Sequence, residues 1–256
     1  MDWTTVIGRD LELRLVIAEK RSVAFAIAQA LGNIGQGDGY VSAGGALISW
    51  AQGHLVELAD PEAYSDMPWS ERKWSMESLP IDPKTWRWEL SGAKGATQRY
   101  RSLAGLIRSD RVTELVNACD PDREGEAIFR RITSYANIHK PTKRLWVASL
   151  EEEAIRQAFD TMKPESAYDG LAHAAEIRAK ADWLVGMNGS RLFSVRYNAH
   201  LNTGRVQTPT LAMIVKRDAD IATFVKQKYF TVVLDMGFPA ESARIDEEHT
   251  ADMLAS

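Results

Sequence analysis

The sequence predicts an α/β fold: a mostly parallel sheet flanked by helices, followed by a mainly helical region and the start of a further β-containing segment. Three observations carry this. Short apolar runs of the kind that fill buried parallel strands recur at residues 13–20, 112–120 and 143–149. A helical pattern follows each run at once, the alternation expected of a parallel sheet. From Gly170 onward the alternation stops and long helical periodicity replaces it.

Residues 1–11 show no pattern and read as a leader. The first strand, LRLVIAEK, stops at Glu19-Lys20-Arg21, and Ser22 is the expected N-cap of a helix that Gly32 ends. Residues 40–58 suit strands around a Gly44-Gly45 turn. The stretch 60–92 holds Trp69, Trp74, Trp86 and Trp88 and reads as an ordered excursion, because indoles in such number need burial. Tyr100, Leu103, Leu106 and Ile107 are helically spaced. VTELVNACD forms the second buried strand, ending at Asp120, and Ile128, Phe129 and Ile132 mark the next helix. KRLWVAS forms the third, leading into Ser149-Leu150-Glu151-Glu152 as a capping box for a helix ending near Met162. Residues 170–198 form one long helical pattern. Thr208-Pro209 opens another helix, to about Phe224, with Thr208 as its N-cap. A strand begins in QKYFTVVLDMGF, and a polar, Glu-rich tail follows.

Composition sets the outer bounds. The 256 residues carry 31 Lys plus Arg against 35 Asp plus Glu, a net charge of −4, so no uniform basic coat for nucleic acid exists. The apolar fraction of 45% excludes a disordered polar chain. One cysteine, Cys119, excludes a disulfide scaffold and a cysteine-based zinc site within this chain. No apolar run approaches the roughly 20 residues of a membrane span, and the N-terminus lacks signal-peptide character. The expected compartment is cytoplasmic, with no membrane partner.

The most informative segment is Asp120-Pro121-Asp122-Arg123-Glu124-Gly125-Glu126, where a buried strand hands over to a helix. Ligands of open α/β sheets bind outside such strand ends. Four carboxylates in seven residues repel unless water or a dication screens them, and Mg²⁺ needs only one or two carboxylates. An acidic helix start is the simpler alternative, since carboxylates favour helix N-termini. A calcium loop fails because its twelfth position would be Arg131 rather than Glu. Glu19 also ends an apolar strand, and faces the cluster if the two strands are sheet neighbours; a Glu followed by Lys is otherwise an ordinary surface pair.

A strand-Glu-helix unit followed by a strand ending in this acidic motif resembles the Toprim module of topoisomerases, primases and some nucleases. Ile17-Ala18-Glu19-Lys20, Gly53-His54-Leu55, Leu79-Pro80-Ile81, residues 181–186 (ADWLVG) and residues 204–209 (GRVQTP) narrow the resemblance to type IA DNA topoisomerases, in particular the topoisomerase III subgroup, over about residues 12 to 235. The resemblance implies a Toprim domain at 12–165, a helical single-strand DNA-binding domain at 166–226 and the start of an arch domain at 227–256. It implies a Mg²⁺-dependent (Mn²⁺ also serving), ATP-independent enzyme that cuts one DNA strand and passes another. Glu19 would be catalytic and metal-binding, Asp120 and Asp122 metal ligands, and Glu124 the third acid. Lys20 would help hold the scissile phosphate. Asn202, Thr203, Gly204, Arg205, Val206 and Gln207 would line the single-strand groove with Arg178 and Arg191.

Charge agrees with a local groove: residues 171–217 carry seven Lys or Arg against two acids. His54 and His173 read as structural. The seven tyrosines (40, 64, 100, 135, 168, 197 and 229) all lack the sequence setting of the family's nucleophile. The cleaving tyrosine is therefore expected from a downstream or separate domain, leaving the isolated chain inactive. A cleavage-inactive single-strand-binding module and a Toprim metal nuclease are the rival readings.

Overall fold

The computed structural model describes residues 13–65 and 67–256; the expected leader, 1–11, lies outside them. The chain divides into two compact units, one ending at Arg205 and the other beginning at Val206.

The first unit is built on a seven-stranded sheet. Its strands are β1 (Leu13–Ala18), β2 (Gly35–Gly37), β3 (Tyr40–Ala43), β4 (Ala46–Trp50), β7 (Val112–Ala118), β8 (Thr142–Arg144) and β9 (Lys163–Pro164), in the order β2-β3-β4-β1-β7-β8-β9. The four central strands β4, β1, β7 and β8 are parallel, and the edges are antiparallel. A small ladder of β5 (Val56–Leu58) and β6 (Trp88–Leu90) lies outside this sheet. The helices are α1 (Arg21–Leu31), α2 (Ala96–Arg108), α3 (Arg123–Ala136), α4 (Glu152–Asp160) and α5 (Asp169–Tyr197).

The apolar run of β1 has a direct physical reason. Leu13, Leu15 and Ile17 point into one core with α2 and α3, where Leu103, Ile107, Phe129 and Ile132 are buried. Val16 and Ala18 point into the other with α1 and α4, against Ala24, Ile27 and Ile155. Strand β7 divides in the same way, with Leu115 on the first side and Val116 and Ala118 on the second. Covered on both faces, the central strands are mostly apolar, and their buried polar residues Ser49, Asn117 and Arg144 are each hydrogen-bonded. The tryptophan-rich excursion is ordered in short 3₁₀ turns, and Tyr64, Trp69 and Ile81 form a third core with Trp183 of α5.

Several expected boundaries move. Lys20, not Ser22, occupies the N-cap of α1. The third strand covers only Thr142–Arg144, because Trp146 leaves the ladder to stack on Tyr168, with ring centroids 5.1 Å apart. The expected capping box at Ser149 does not form: Glu151 is the N-cap of α4, and its N–H donates to Ser149 Oγ at 3.3 Å.

The second unit contains α6 (Gln207–Ala222), a hairpin of β10 (Val233–Asp235) and β11 (Pro239–Glu241), and α7 (Glu248–Ala255). Helix α6 starts two residues before Pro209, with Val206 in place of Thr208 at its N-cap; Pro209 falls in the first turn, where its missing N–H goes unused. The terminal strand has an antiparallel partner, and the polar tail contains α7.

Candidate active site

Strands β1 and β7 are parallel neighbours with Ala18 opposite Ala118, so the residues just beyond them emerge side by side. This register brings Glu19-Lys20 against Asp120. Lys20 Nζ donates to Asp120 Oδ2 at 2.6 Å and lies 3.3 Å from Glu19 Oε1. The hydrogen bond to Asp120 is the main cause that raises the Lys20 pKa. Asp122 is the N-cap of α3, its Oδ1 accepting the Gly125 N–H at 2.8 Å. Glu124, on the exposed first turn, places Oε1 3.0 Å from His54 Nε2.

His54 is held there by the chain after β4. The N–H groups of Ala51 and Gln52 donate to the carbonyls of Ala18 and Glu19, both at 2.8 Å. Gln52 and Gly53 take left-handed φ values of 68° and 93°, which turn the chain toward α3. The other ring nitrogen of His54 is 3.5 Å from Arg131 Nη1, and that guanidinium lies 4.7 Å over the Trp88 ring. Read as structural from sequence, His54 thus stands at the acidic cluster. Its place in Gly53-His54-Leu55, between a sheet strand and an apolar run, was the available signal.

Glu126 departs from the other acids. It is fully buried and faces Arg144, itself fully buried. The Arg144 Nε lies against Glu126 Oε1 as a close charge contact without hydrogen-bond alignment. Asn117 Nδ2 donates to the same oxygen at 3.2 Å, and Arg130 Nε to Oε2 at 3.3 Å. Arg144 also donates to the carbonyls of Asn117, Cys119 and Leu145 through Nη1, and to Asp120 O through Nη2 at 2.7 Å. Its guanidinium therefore fastens from below the strand end that carries Asp120. Cys119 between them is inert, since burial pushes its thiol far above the ordinary range.

The proposed metal ligands Glu19, Asp120 and Asp122 are hard oxygen donors at one sheet edge, the chemistry Mg²⁺ prefers. Among the described residues, no three His, Cys, Asp or Glu side chains converge as a ready-made cage. Each acid has another partner: Lys20 for Glu19 and Asp120, the α3 amide for Asp122, His54 for Glu124.

The basic residues are less exposed as a group than their count predicts. Arg191 is 2% exposed, with Nη1 donating to Trp69 O and Nη2 2.8 Å from Glu62 Oε1. It anchors the tryptophan-rich excursion on α5 and has no face for a phosphate, correcting its assignment to the groove. Lys180 pairs with Glu176. Arg178 and Arg205 do come together, about two-fifths exposed, on either side of Asp182 at 3.6 and 2.9 Å. The segment before Arg205 runs along the end of α5. Ser194 Oγ bonds both N–H and O of Leu201, and Ser190 Oγ those of Thr203. Gly189 permits this approach, since a Cβ there would meet Thr203 Cγ2 at 3.0 Å. Asn202, Thr203 and Gly204 are thereby fixed beside the Arg178–Arg205 pair, whereas Val206 and Gln207 open the second unit.

Comparison with known proteins identifies the family. The Toprim domain model matches residues 14–150, and the DNA topoisomerase model matches residues 166–255. DNA topoisomerase 3 of Bacillus thuringiensis (strain Al Hakam) is 43% identical over 219 residues, 85% of this chain and 29% of the relative. That of Bacillus subtilis (strain 168) is 40% identical over 218 residues, with the same coverage. The chain thus spans under a third of the length of these curated relatives. Full-length topoisomerase I from Thermotoga maritima shares the fold, with a TM-score of 0.56 and 22% identity over 94% of this chain and 37% of that one. With the Toprim model covering more than half of its residues and the topoisomerase model following in sequence, the chain belongs to the Toprim family, as the N-terminal part of a type IA DNA topoisomerase.

Proposed function

We propose that this chain supplies the Toprim and single-strand-binding portions of a topoisomerase III-like enzyme that cuts, passes and rejoins single-stranded DNA with Mg²⁺ and without ATP. The Toprim domain spans 12–165, the helical DNA-binding domain 166–226 and the first part of an arch 227–256. The observation that carries the reading is the β1–β7 register, which puts Glu19 and Lys20 beside Asp120 at the carboxyl edge of a parallel sheet. We place the protein in the cytoplasm, acting on DNA; no helix of the described residues is long and apolar enough to cross a membrane.

Transesterification at phosphorus needs an in-line oxygen nucleophile, a proton for the leaving oxygen, and positive charge around the phosphate. In this reading Glu19, Lys20 and a bound metal together serve the leaving oxygen and the phosphate charge, with the Lys20 ammonium holding a phosphate oxygen. Asp120 and Asp122, with Glu19, would hold a Mg²⁺ whose charge stabilises the phosphate and the leaving oxygen. Glu124 remains the third acid, positioned by His54. Asn202, Thr203 and Gly204, with Arg178 and Arg205, orient the strand, and Val206 and Gln207 continue the same segment. Cys119 is buried and protonated, and the tyrosines lack the nucleophile's setting, so a tyrosine-bearing domain supplies the attacking oxygen.

The purified chain with Mg²⁺ and negatively supercoiled plasmid is expected to give neither relaxed topoisomers nor a covalent protein–DNA adduct. Adding a tyrosine-bearing domain of a relative restores both with Glu19, and neither with Glu19→Ala. Relaxation by the chain alone would place a nucleophile among its own tyrosines; nicking without an adduct would indicate metal-assisted hydrolysis instead. Single-strand binding should weaken steeply with salt. Neutralising Arg178 and Arg205 together lowers the slope of log affinity against log salt by about 1.4, at about 0.7 per single-strand phosphate contact. An unchanged slope in fluorescence-anisotropy titrations would remove these two arginines from the groove.

A further inference from the structure

The two carboxylates at the sheet edge share one cation of the protein itself. Lys20 Nζ sits 2.6 Å from Asp120 Oδ2 and 3.3 Å from Glu19 Oε1, bridging two elements 100 residues apart in sequence. Both oxygens belong to carboxylates that would hold the dication. Asp122 and Glu124 do not fill the gap, because one caps α3 and the other turns to His54.

We propose that Lys20 is the resting cation of this site, occupying the position between Glu19 and Asp120 that a dication takes, so that metal loading requires its ammonium to leave. The inference rests on the metal-site reading above. Lys20 is suited to leaving: its side chain is 56% exposed, and its four-carbon stem swings without disturbing the sheet. Its neighbour Arg21 serves as a contrast, since that guanidinium lies 4.9 Å over the Phe25 ring. A phosphate brought to the same edge offers the ammonium another anion. Drawing Lys20 away leaves Glu19 and Asp120 uncompensated and raises their affinity for a dication. By linkage, the dication then raises the affinity for phosphate by the same factor. The site thus loads metal best when nucleic acid is present, and keeps one of its two negative charges offset by Lys20 when it is not.

Mn²⁺ titration followed by electron paramagnetic resonance tests this on the full chain without cleavage chemistry. Lys20→Met is expected to bind Mn²⁺ about five- to tenfold more tightly than wild type, the effect of removing one partly solvated competing charge. Lys20→Gln should behave alike, which guards against a folding defect in one variant. Arg21→Met, the same charge change one residue away, should shift affinity less than about twofold. A short oligodeoxythymidylate should tighten Mn²⁺ binding by a larger factor in wild type than in Lys20→Met. Equal or weaker binding by both Lys20 variants overturns the proposal, as does equal tightening by Arg21→Met, which would be a field effect. Equal oligonucleotide factors in wild type and Lys20→Met overturn the coupling. If wild type and Lys20→Met both fail to bind, or if Asp120→Asn binds as wild type does, the metal site itself is misassigned and the proposal falls with it.

Discussion

Gly125→Ala is expected to destabilise the chain by about 2 kcal/mol or more and to abolish dication binding at the acidic motif. Intrinsic propensity alone argues the opposite sign, because alanine is better than glycine inside a helix by about 1 kcal/mol. Packing decides against it. A Cβ at position 125 would lie 2.1 Å from the carbonyl oxygen of Asp120 and 2.8 Å from its backbone nitrogen. Both are main-chain atoms of the strand end, so neither can rotate aside as a side chain would. Overpacking of this kind costs about 1–3 kcal/mol, and more where backbone must move. The only relief is to lift the first turn of α3 away from β7. That lift breaks the Asp122 cap at Gly125 and separates Asp120 from its partners. Urea denaturation and Mn²⁺ titration of the same preparation check both halves. A Gly125→Ala chain as stable as wild type would show that the helix start tolerates the shift, and the close approach would lose its explanatory weight.

Much of this architecture was legible because the relevant signals are local. LRLVIA reads as a strand covered on both faces, and its alternate residues do enter two separate cores. The step from VTELVNACD into an acidic helix start placed Asp120 and Asp122 correctly at a strand end. The remainder depended on contacts between distant segments. Glu126 looked like the fourth member of an exposed acidic cluster, since charged side chains are rarely buried without a partner and its partner, Arg144, lies 18 residues on. Arg191 was counted with the exposed basic residues for the same reason; its partners, Glu62 and Trp69, come from the excursion that folds back on α5. Net charge along a sequence window cannot separate a solvated arginine from one fixed in the interior. Both helix starts moved by two residues because Lys20 and Val206, poor caps by type, hold the N-cap positions.

The Glu126–Arg144 pair leads to the second large effect: Glu126→Ala is expected to cost about 3–5 kcal/mol, the penalty for leaving a buried charge without its counter-ion. An exposed pair on the same chain provides the scale. Glu152→Ala removes an i,i+4 contact to Arg156 at 3.0 Å and should cost no more than about 0.5 kcal/mol. The difference comes from solvent, which screens the α4 pair but cannot reach Arg144. Replacing both members by apolar residues often recovers such a loss, because two desolvation penalties disappear together. Here recovery should fail. Arg144 also donates to the carbonyls of Asn117, Cys119, Asp120 and Leu145; in an Arg144→Met, Glu126→Leu chain Asn117 and Asp120 keep the N–H groups of Leu145 and Asp122, but the Cys119 and Leu145 carbonyls lose the arginine donor. The double variant should therefore remain at least as unstable as Glu126→Ala. It should also lose Mn²⁺ affinity, because the strand end that presents Asp120 is no longer fastened. Chemical denaturation of the three variants measures the energies. Recovery of wild-type stability in the double variant would mean that the carbonyls find other donors, and that the arginine serves the carboxylate alone.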